Sequence, residues 1–143
     1  SPAAATRRAS LAQLAASVCH QGTMYTATAP AVRAVVALLA SPRAKDAERL
    51  LGFLADVATL DDAPELGGPR AAEEARATAP RSYARALRAV EAGREVYLAR
   101  LGDPSADVRA AAASASGKIR RYSSTIRAAP TPIRRSIPTC AKV

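Results

Sequence analysis

The residues of this chain that could do chemistry are few, and the most reactive pair stands side by side. His20 is the only histidine, and Cys19 precedes it. A zinc site needs further ligands at suitable spacing, and no second Cys/His pair follows. A nucleophile pair is also disfavoured, because neighbouring residues on a helix point about 100° apart. We therefore interpret His20 as a loop-anchoring residue and Cys19 as a small buried hydrophobe.

Two adjacent pairs of carboxylates and one pair of glycines complete the chemical inventory. Asp61-Asp62 and Glu73-Glu74 have the pattern of a solvated loop or of the acidic first turn of a helix. Gly67-Gly68 lacks the lysine and the glycine-rich continuation of a phosphate-binding loop. The sequence thus predicts no catalytic residue, no metal ligand and no cofactor. An enzyme is only a distant alternative.

Charge is the stronger functional signal, because the basic residues concentrate at both ends. Residues 1–45 hold five basic residues and no acid, residues 46–107 hold eight against twelve acids, and residues 108–143 hold eight and no acid. A cluster without acids near the end could contact phosphates, or it could be a solvated tail. Since Tyr122 is the only aromatic residue nearby, such binding would be salt-sensitive and poorly sequence-specific. The candidate nucleic-acid-binding residues are Lys118, Arg120, Arg121, Arg127, Arg134 and Arg135.

Composition favours an all-α chain with a thin core. Of its 143 residues 37 are alanine, Trp is absent and there is one Phe. Alanine is the best helix former but buries little surface, so close packing of helices must supply the core. No stretch alternates apolar and polar residues with β-branched enrichment, as a strand would. The length fits one domain, and no apolar run is long enough to span a membrane.

A helical hairpin over residues 29–58 is the clearest structural pattern. Its first helix carries an apolar stripe at i, i+3, i+4 and i+7, and its second helix carries another. Ser41-Pro42 separates them, and Pro42 suits the first turn of the second helix. The predicted stripes are Val32, Val35, Val36 and Leu39, then Ala47, Leu50, Leu51, Leu54 and Val57.

Further helices are predicted before and after this hairpin. A first helix covers about residues 4–19, with Arg7 and Arg8 solvated near its start, and Thr28 is a natural N-cap for the next helix. Pro80 begins another helix, which breaks at Ala92-Gly93 and continues in a short helix. The last helix begins near Asp107 and runs towards Ala129, beyond which prolines forbid regular helix.

The two prolines Pro42 and Pro104 mark a weak internal repeat. Each follows an apolar helix and precedes another, and VVALLASPRAKDAERLL matches VYLARLGDPSADVRAAA in outline. The second copy, with Asp103-Pro104 and Asp107-Val108-Arg109, resembles the turn of HEAT (armadillo-like) repeats. Residues 19–32 also resemble the lead-in to HEAT-like repeats in bacterial proteins of high-GC type. The first copy departs from the pattern, since Lys45-Asp46 stands where the family has Asp-Val.

This resemblance, which covers about residues 10–117, implies a short right-handed α-solenoid of stacked antiparallel helix pairs. The prolines and basic residues after it predict an extended basic C-terminal tail. Residues 1–117 would form the HEAT-like domain with a flexible loop at about 60–80, and residues 118–143 a basic extension, helical to about 129 and then proline-rich. The expected function is a non-enzymatic cytoplasmic scaffold that binds a protein partner through Arg33, Arg49 and Arg109. The alternative role for Arg109 is in stacking between repeats. The alternative is a nucleic-acid-binding or ribonucleoprotein component that uses its basic tail.

Overall fold

The structure is a computed structural model that describes residues 2–20, 23–59, 70, 73, 77 and 80–128. Within these residues it contains six α-helices, a 3-10 turn at Arg100–Gly102 and two short strands, β1 (Cys19–His20) and β2 (Thr23–Met24). The helices are α1 (Pro2–Val18), α2 (Thr28–Ala40), α3 (Ala47–Ala58), α4 (Pro80–Ala92), α5 (Arg94–Ala99) and α6 (Ala106–Ala128).

The all-α class is confirmed, with one small addition. β1 and β2 form an antiparallel ladder in which Cys19 faces Met24 and His20 faces Thr23. Two residues per strand are far too few to form a sheet with its own core. The ladder instead reverses the chain between α1 and α2, at a point where the sequence carries no strand signal.

The predicted hairpin is α2 and α3, and its two apolar stripes form the centre of the core. All the predicted stripe residues are buried except Val36, which is half-buried against the core. α3 also buries Phe53, Ala55 and Ala58, so that eight of its twelve residues lie inside. A helix buried over so much of its surface must be covered by several neighbours.

Those neighbours come from the C-terminal half of the chain. α2 packs most extensively on α4, and α3 packs most extensively on α6. Small residues such as Ala86, Ala112 and Ala115 lie at these contacts and are almost completely buried. Since alanine has a short side chain, the helices approach closely and few large residues are needed to exclude water.

Two details of the hairpin differ from the prediction. Thr28 is not an N-cap but the first residue of α2, and its buried hydroxyl donates to the carbonyl of Val18 at 2.6 Å. Pro42 lies in a six-residue connection before α3, which begins only at Ala47. Asp46 precedes that helix in the left-handed conformation, with φ of 55°, which aspartate tolerates better than most residues.

The predicted break lies at Gly93, where the structure has no room for a side chain. Tyr97 is 1% exposed, and its hydroxyl donates to the carbonyl of Val90 at 2.7 Å. This bond carries the ring across the turn between α4 and α5, and burial raises the pKa of the phenol. A Cβ at position 93 would lie 2.8 Å from Cζ of Tyr97 and 2.8 Å from Cγ2 of Val36. Only glycine leaves room for the ring.

A buried arginine joins the two halves of the chain. Arg100 is 8% exposed and donates from Nε at 3.1 Å and from Nη2 at 2.5 Å to the carbonyl of Leu39. Nη2 also donates to the carbonyl of Ser41, just beyond the end of α2. Carbonyls at a helix C-terminus lack helical partners, so the guanidinium caps α2 from the opposite half of the molecule.

Asp103 completes this junction by balancing the buried charge. Its carboxylate accepts from Nη1 of Arg100 at 2.8 Å and from the backbone N–H of Ser105 at 3.0 Å. The Ser105 N–H and then Arg100 hold the pKa of Asp103 below its usual value. Arg109 donates to the carbonyls of Asp103 and Pro104 from the exposed side of the same turn. The turn after α5 is therefore fixed from both sides.

α1 is the least well-packed helix. Of its seventeen residues only Val18 is buried, and Leu11, Leu14 and Ala15 are half-buried against the hairpin. The remaining side chains are alanine or polar and mostly exposed. α1 therefore covers the hairpin loosely, in contrast to α6.

Several predictions fall on residues outside the described ones, among them most of the loop at 60–80 and the tail from residue 129. Within that loop Arg70, Glu73 and Ala77 are described, and they are helical and exposed. No helix among the described residues is long and apolar enough to cross a membrane.

The steric role of Gly93 gives a first prediction. Gly93→Ala should lower the free energy of unfolding by about 1–3 kcal/mol, since the methyl group overpacks a buried tyrosine. Urea unfolding measures the change. The control is Gly117→Ala, in an exposed part of α6 where a Cβ meets no atom within 4 Å. It should raise stability by about 0.5–1 kcal/mol through helix propensity. Equal effects at both positions would contradict the steric explanation.

Arg100 gives a second prediction. Arg100→Ala should lower the free energy of unfolding by about 2–4 kcal/mol, because it removes the donor to the carbonyls of Leu39 and Ser41 and the cation paired with Asp103. Arg109→Ala removes an arginine that also bonds two backbone carbonyls, but at the surface, and should cost below about 1 kcal/mol. Urea unfolding of both variants separates a buried cap from an exposed one, and equal losses would refute the distinction.

Candidate functional site

The candidate site is a groove between α1 and the α2–α3 hairpin. Its volume is about 520 Å³, which lies in the size range of ligand-binding pockets, and it is half-open to solvent. The groove exists because α1 offers few large side chains to the hairpin. We call it the α1 groove.

Apolar side chains from all three helices form the floor of the α1 groove. Val35 and Leu50 are buried there and belong to the core, while Leu11 and Leu14 line it from α1. Leu38 is 59% exposed, the largest exposed fraction among the large apolar side chains described as exposed. An aliphatic side chain that remains exposed beside a groove gives an incoming apolar group something to pack against.

Basic side chains surround this floor on three elements. α1 contributes two, the connection between α2 and α3 contributes two, and α3 contributes one. One carboxylate, that of Asp46, also lines the α1 groove. The positive charge therefore exceeds the negative charge, and the excess favours an anionic ligand. The five basic residues are Arg7, Arg8, Arg43, Lys45 and Arg49.

The single carboxylate is already engaged. Nε of Arg7 donates to Oδ2 of Asp46 at 2.6 Å. This hydrogen bond, followed by the charges of Arg7, Arg49 and Arg8, holds the pKa of Asp46 below its usual value. The pair ties the N-terminal part of α1 to the start of α3. Arg7 is exposed, as expected, but the sequence did not predict its pairing with Asp46, 39 positions away.

A second, smaller cleft lies between α1 and α3. It has a volume of about 300 Å³ and is lined by Leu11, Phe53 and Asp56 among others. Arg8 and Arg49 line both this cleft and the α1 groove. Gaps beside α1 at two places confirm that its packing on the hairpin is incomplete.

The three arginines predicted to bind protein are all exposed, but they lie apart. Arg49 lines the α1 groove, with Nε 4.0 Å from Oε1 of Glu48. Arg33 stands five residues before Leu38 on α2, about 140° around the helix. Arg109 lies in the first turn of α6, where it donates to the carbonyls of Asp103 and Pro104 in the preceding turn. One shared binding surface for the three remains a prediction.

The basic residues predicted to bind nucleic acid lie along and beyond α6. This helix is continuous from Ala106 to Ala128, passes through Gly117 and buries Ile119. Arg120 and Arg121 are exposed and Lys118 is half-buried. The backbone of Arg127 is helical, but its side chain, like Arg134 and Arg135 entirely, lies outside the described part.

The described part of the chain contains no group of three or more His, Cys, Asp or Glu residues that could hold a metal ion. The side chains of Cys19 and His20 lie outside it, so their interpretation stays a prediction. The same holds for Asp61-Asp62 and Gly67-Gly68. Of Glu73-Glu74 only Glu73 is described, and it is helical and exposed.

Sequence reasoning missed Leu38 and most of the basic residues of the α1 groove. Leu38 falls outside the i, i+3, i+4, i+7 stripe, and an apolar residue off the stripe was the available signal. Arg43 and Lys45 belong to an acid-free N-terminal segment that the charge distribution did single out. Their convergence with Arg49 depends on how α1 docks, which the sequence does not determine.

Comparison with family models, with curated proteins and with solved structures found no match to this chain.

The Arg7–Asp46 pair predicts a pH dependence. Because folding lowers the pKa of Asp46, the pair stabilises the fold above the ordinary carboxyl value of 3.8, and this contribution is lost as pH falls through the lowered pKa. Arg7→Gln should therefore raise the pKa of Asp46 towards its usual value, as followed by NMR titration of the carboxyl carbon. It should also weaken the acid-induced loss of stability. An unchanged Asp46 titration in Arg7→Gln would show that the pair does not form.

Proposed function

We propose that this chain is a non-enzymatic, HEAT-like helical scaffold in the cytoplasm that binds a protein partner. The observation that carries the proposal is the pairing of α2 with α4 and of α3 with α6. If α4 and α5 together are read as one helix bent at Gly93, each half of the chain is a helix pair. Corresponding helices then pack on each other, as they do between stacked helical repeats.

The junction between the two pairs supports a fixed binding surface. Arg100 bonds the end of α2 to the turn after α5, and Asp103 neutralises its charge. Since the guanidinium bonds carbonyls near the end of α2, it fixes one helix pair relative to the other. A surface with little freedom loses less entropy when a partner binds. Such a scaffold needs no reactive group.

Exposed side chains on this framework are the candidate contacts. Arg33 on α2, Arg49 on α3 and Arg109 at the start of α6 carry no buried role in the core. Arginine is enriched at protein interfaces because its planar group binds carboxylates with two hydrogen bonds and packs its stem on apolar surface. We propose that the partner contacts at least Arg33 or Arg49.

A second function, nucleic-acid binding, is favoured by the charge of α6. The helix carries Arg120 and Arg121 on its exposed surface, and no acid follows Asp107 in the sequence. Exposed cations can contact phosphates along a strand, and this contact would weaken steeply with salt. It would use a different part of the molecule from the scaffold surface.

One capture experiment tests the two functions against each other. The full chain is immobilised, exposed to extract of cells that produce it, and washed with and without nuclease treatment. If the scaffold proposal is correct, a protein is retained after nuclease treatment, and Arg33→Glu/Arg49→Glu lowers its retention about tenfold or more. The matched control Arg81→Glu/Arg85→Glu changes the same charge at exposed positions of α4 and should retain the partner.

The same variants are titrated with a single-stranded oligonucleotide at about 50 mM and about 200 mM salt. Loss of every retained protein on nuclease treatment would overturn the scaffold proposal. Together with tight oligonucleotide binding that Arg120→Gln/Arg121→Gln/Arg127→Gln weakens, it would establish the nucleic-acid function instead. If Arg33→Glu/Arg49→Glu and Arg81→Glu/Arg85→Glu retain the partner equally well, the partner binds at another surface and the proposed contacts are refuted.

A further inference from the structure

We propose that the α1 groove binds an acidic amphipathic helix of a partner protein. This inference rests on the proposed scaffold function and names its binding site and the chemistry of its ligand. It depends on three properties of the α1 groove, namely its apolar floor, its basic rim and its open side.

The floor fits the apolar face of a helix. Leu11 and Leu14 follow α1 at i and i+3, and Leu38 and Leu50 face the same groove from the hairpin. An amphipathic helix presents its own apolar side chains at i, i+3, i+4 and i+7, and such a row fits an elongated apolar groove. The partner would cover Leu38, which is 59% exposed without it.

The rim selects the charge of the ligand. Five basic side chains line the α1 groove against one carboxylate, and that carboxylate is held by Arg7 at 2.6 Å. A basic or neutral helix would leave most of these charges uncompensated as water is displaced. A helix with Glu or Asp beside its apolar face would compensate them. Charge complementarity therefore points to an acidic partner.

The spread of the basic residues argues for a peptide rather than for a small anion. Arg8 lies on α1, Arg43 in the connection and Arg49 on α3, so they border the groove from three directions. A single phosphate or carboxylate group would be bound by donors that converge on one point. Distributed cations around an apolar floor instead match several carboxylates along a helix. The half-open groove also gives a helix access from solvent.

Nucleic acid fits the α1 groove less well. A phosphate backbone would use the basic rim but would leave Leu38 and the rest of the apolar floor exposed. Bases stack on aromatic side chains, and the described residues that line the α1 groove include no aromatic one. The apolar floor and the basic rim are both used only by a ligand that is amphipathic.

A designed peptide tests the inference directly. The probe is a fluorescein-labelled helix of about 18 residues with leucine at i, i+3, i+4 and i+7 and glutamate on its flanks. Its anisotropy is followed on titration with the full chain. We expect saturable binding that Leu38→Asp weakens about tenfold or more, while Leu101→Asp, at another exposed leucine, has little effect. Arg43→Glu/Arg49→Glu should also weaken binding, whereas Arg81→Glu/Arg85→Glu should not.

Three results would overturn the proposal. Equal binding of a peptide with lysine in place of each glutamate would remove the charge argument. Equal binding of a scrambled peptide, or of Leu38→Asp, would remove the apolar argument. An oligonucleotide could also displace the peptide and bind Leu38→Asp as well as it binds the unaltered chain. That result would show that the α1 groove binds polyanions instead. Circular dichroism of each variant verifies that the helical fold is intact.

The natural partner separates this inference from the proposed function. If a captured protein depends on Leu38, both stand. If a protein is retained after nuclease treatment but Leu38→Asp captures it equally well, the scaffold function stands and the α1 groove is refuted as its site. If no protein is retained and the designed peptide does not bind, both fail.

Discussion

The structure depends on the hydrogen bonds from Arg100 to the carbonyls at the end of α2. These bonds join residues 61 and 59 positions apart in the sequence. Burying a charge is costly unless its donors are satisfied, and here carbonyls of Leu39 and Ser41 and the carboxylate of Asp103 satisfy them. Because the same guanidinium caps α2 and bonds to the turn before α6, the positions of both helices are coupled. Removing the guanidinium would leave the buried carbonyl of Leu39 without this donor.

The alanine content explains why such a polar junction is needed. The described core consists mainly of alanine, valine and leucine, and its few larger members are Phe53, Tyr83, Tyr97 and Ile119. Such a core buries less apolar surface per residue than one rich in large side chains, so each contact must be close. Gly93 and Tyr97 are an example of such a close contact, since a Cβ at position 93 would clash with the tyrosine ring. Close packing fixes the distance between two helices. Alanine side chains are small, however, and their contacts specify poorly how one helix is positioned along the other. Directed hydrogen bonds such as those of Arg100 supply that specificity.

The sequence predicted the elements well and their contacts only in part. The apolar stripes of α2 and α3 are buried as expected, because a period of 3.6 residues reports which face is covered. The break at Gly93 and the turn at Asp103-Pro104 were also predicted, because glycine and proline affect the backbone conformation at their own positions. Arg100 was not identified, since its acceptors are backbone carbonyls that any residue offers. The Arg7–Asp46 pair was missed because many basic and acidic side chains could have paired. Local sequence patterns therefore predicted the helices. They did not predict the candidate site, because it is formed by residues that are distant in the sequence.

The α1 groove follows from the contrast between α1 and α6. Both lie beside α3, yet α6 buries Val108, Ala112, Ala115 and Ile119, whereas α1 buries Val18 alone. A helix with so weak an apolar stripe cannot seal the surface it covers, and the hairpin keeps an apolar strip beside it. The basic residues of the N-terminal segment then surround that strip, because no acid precedes Asp46. Because Asp46 is paired with Arg7, its carboxylate is not available to neutralise the other basic residues of the α1 groove. An incompletely covered hairpin in an acid-free segment thus becomes an amphipathic surface with a net positive charge, and a ligand that covers it must itself be amphipathic and acidic.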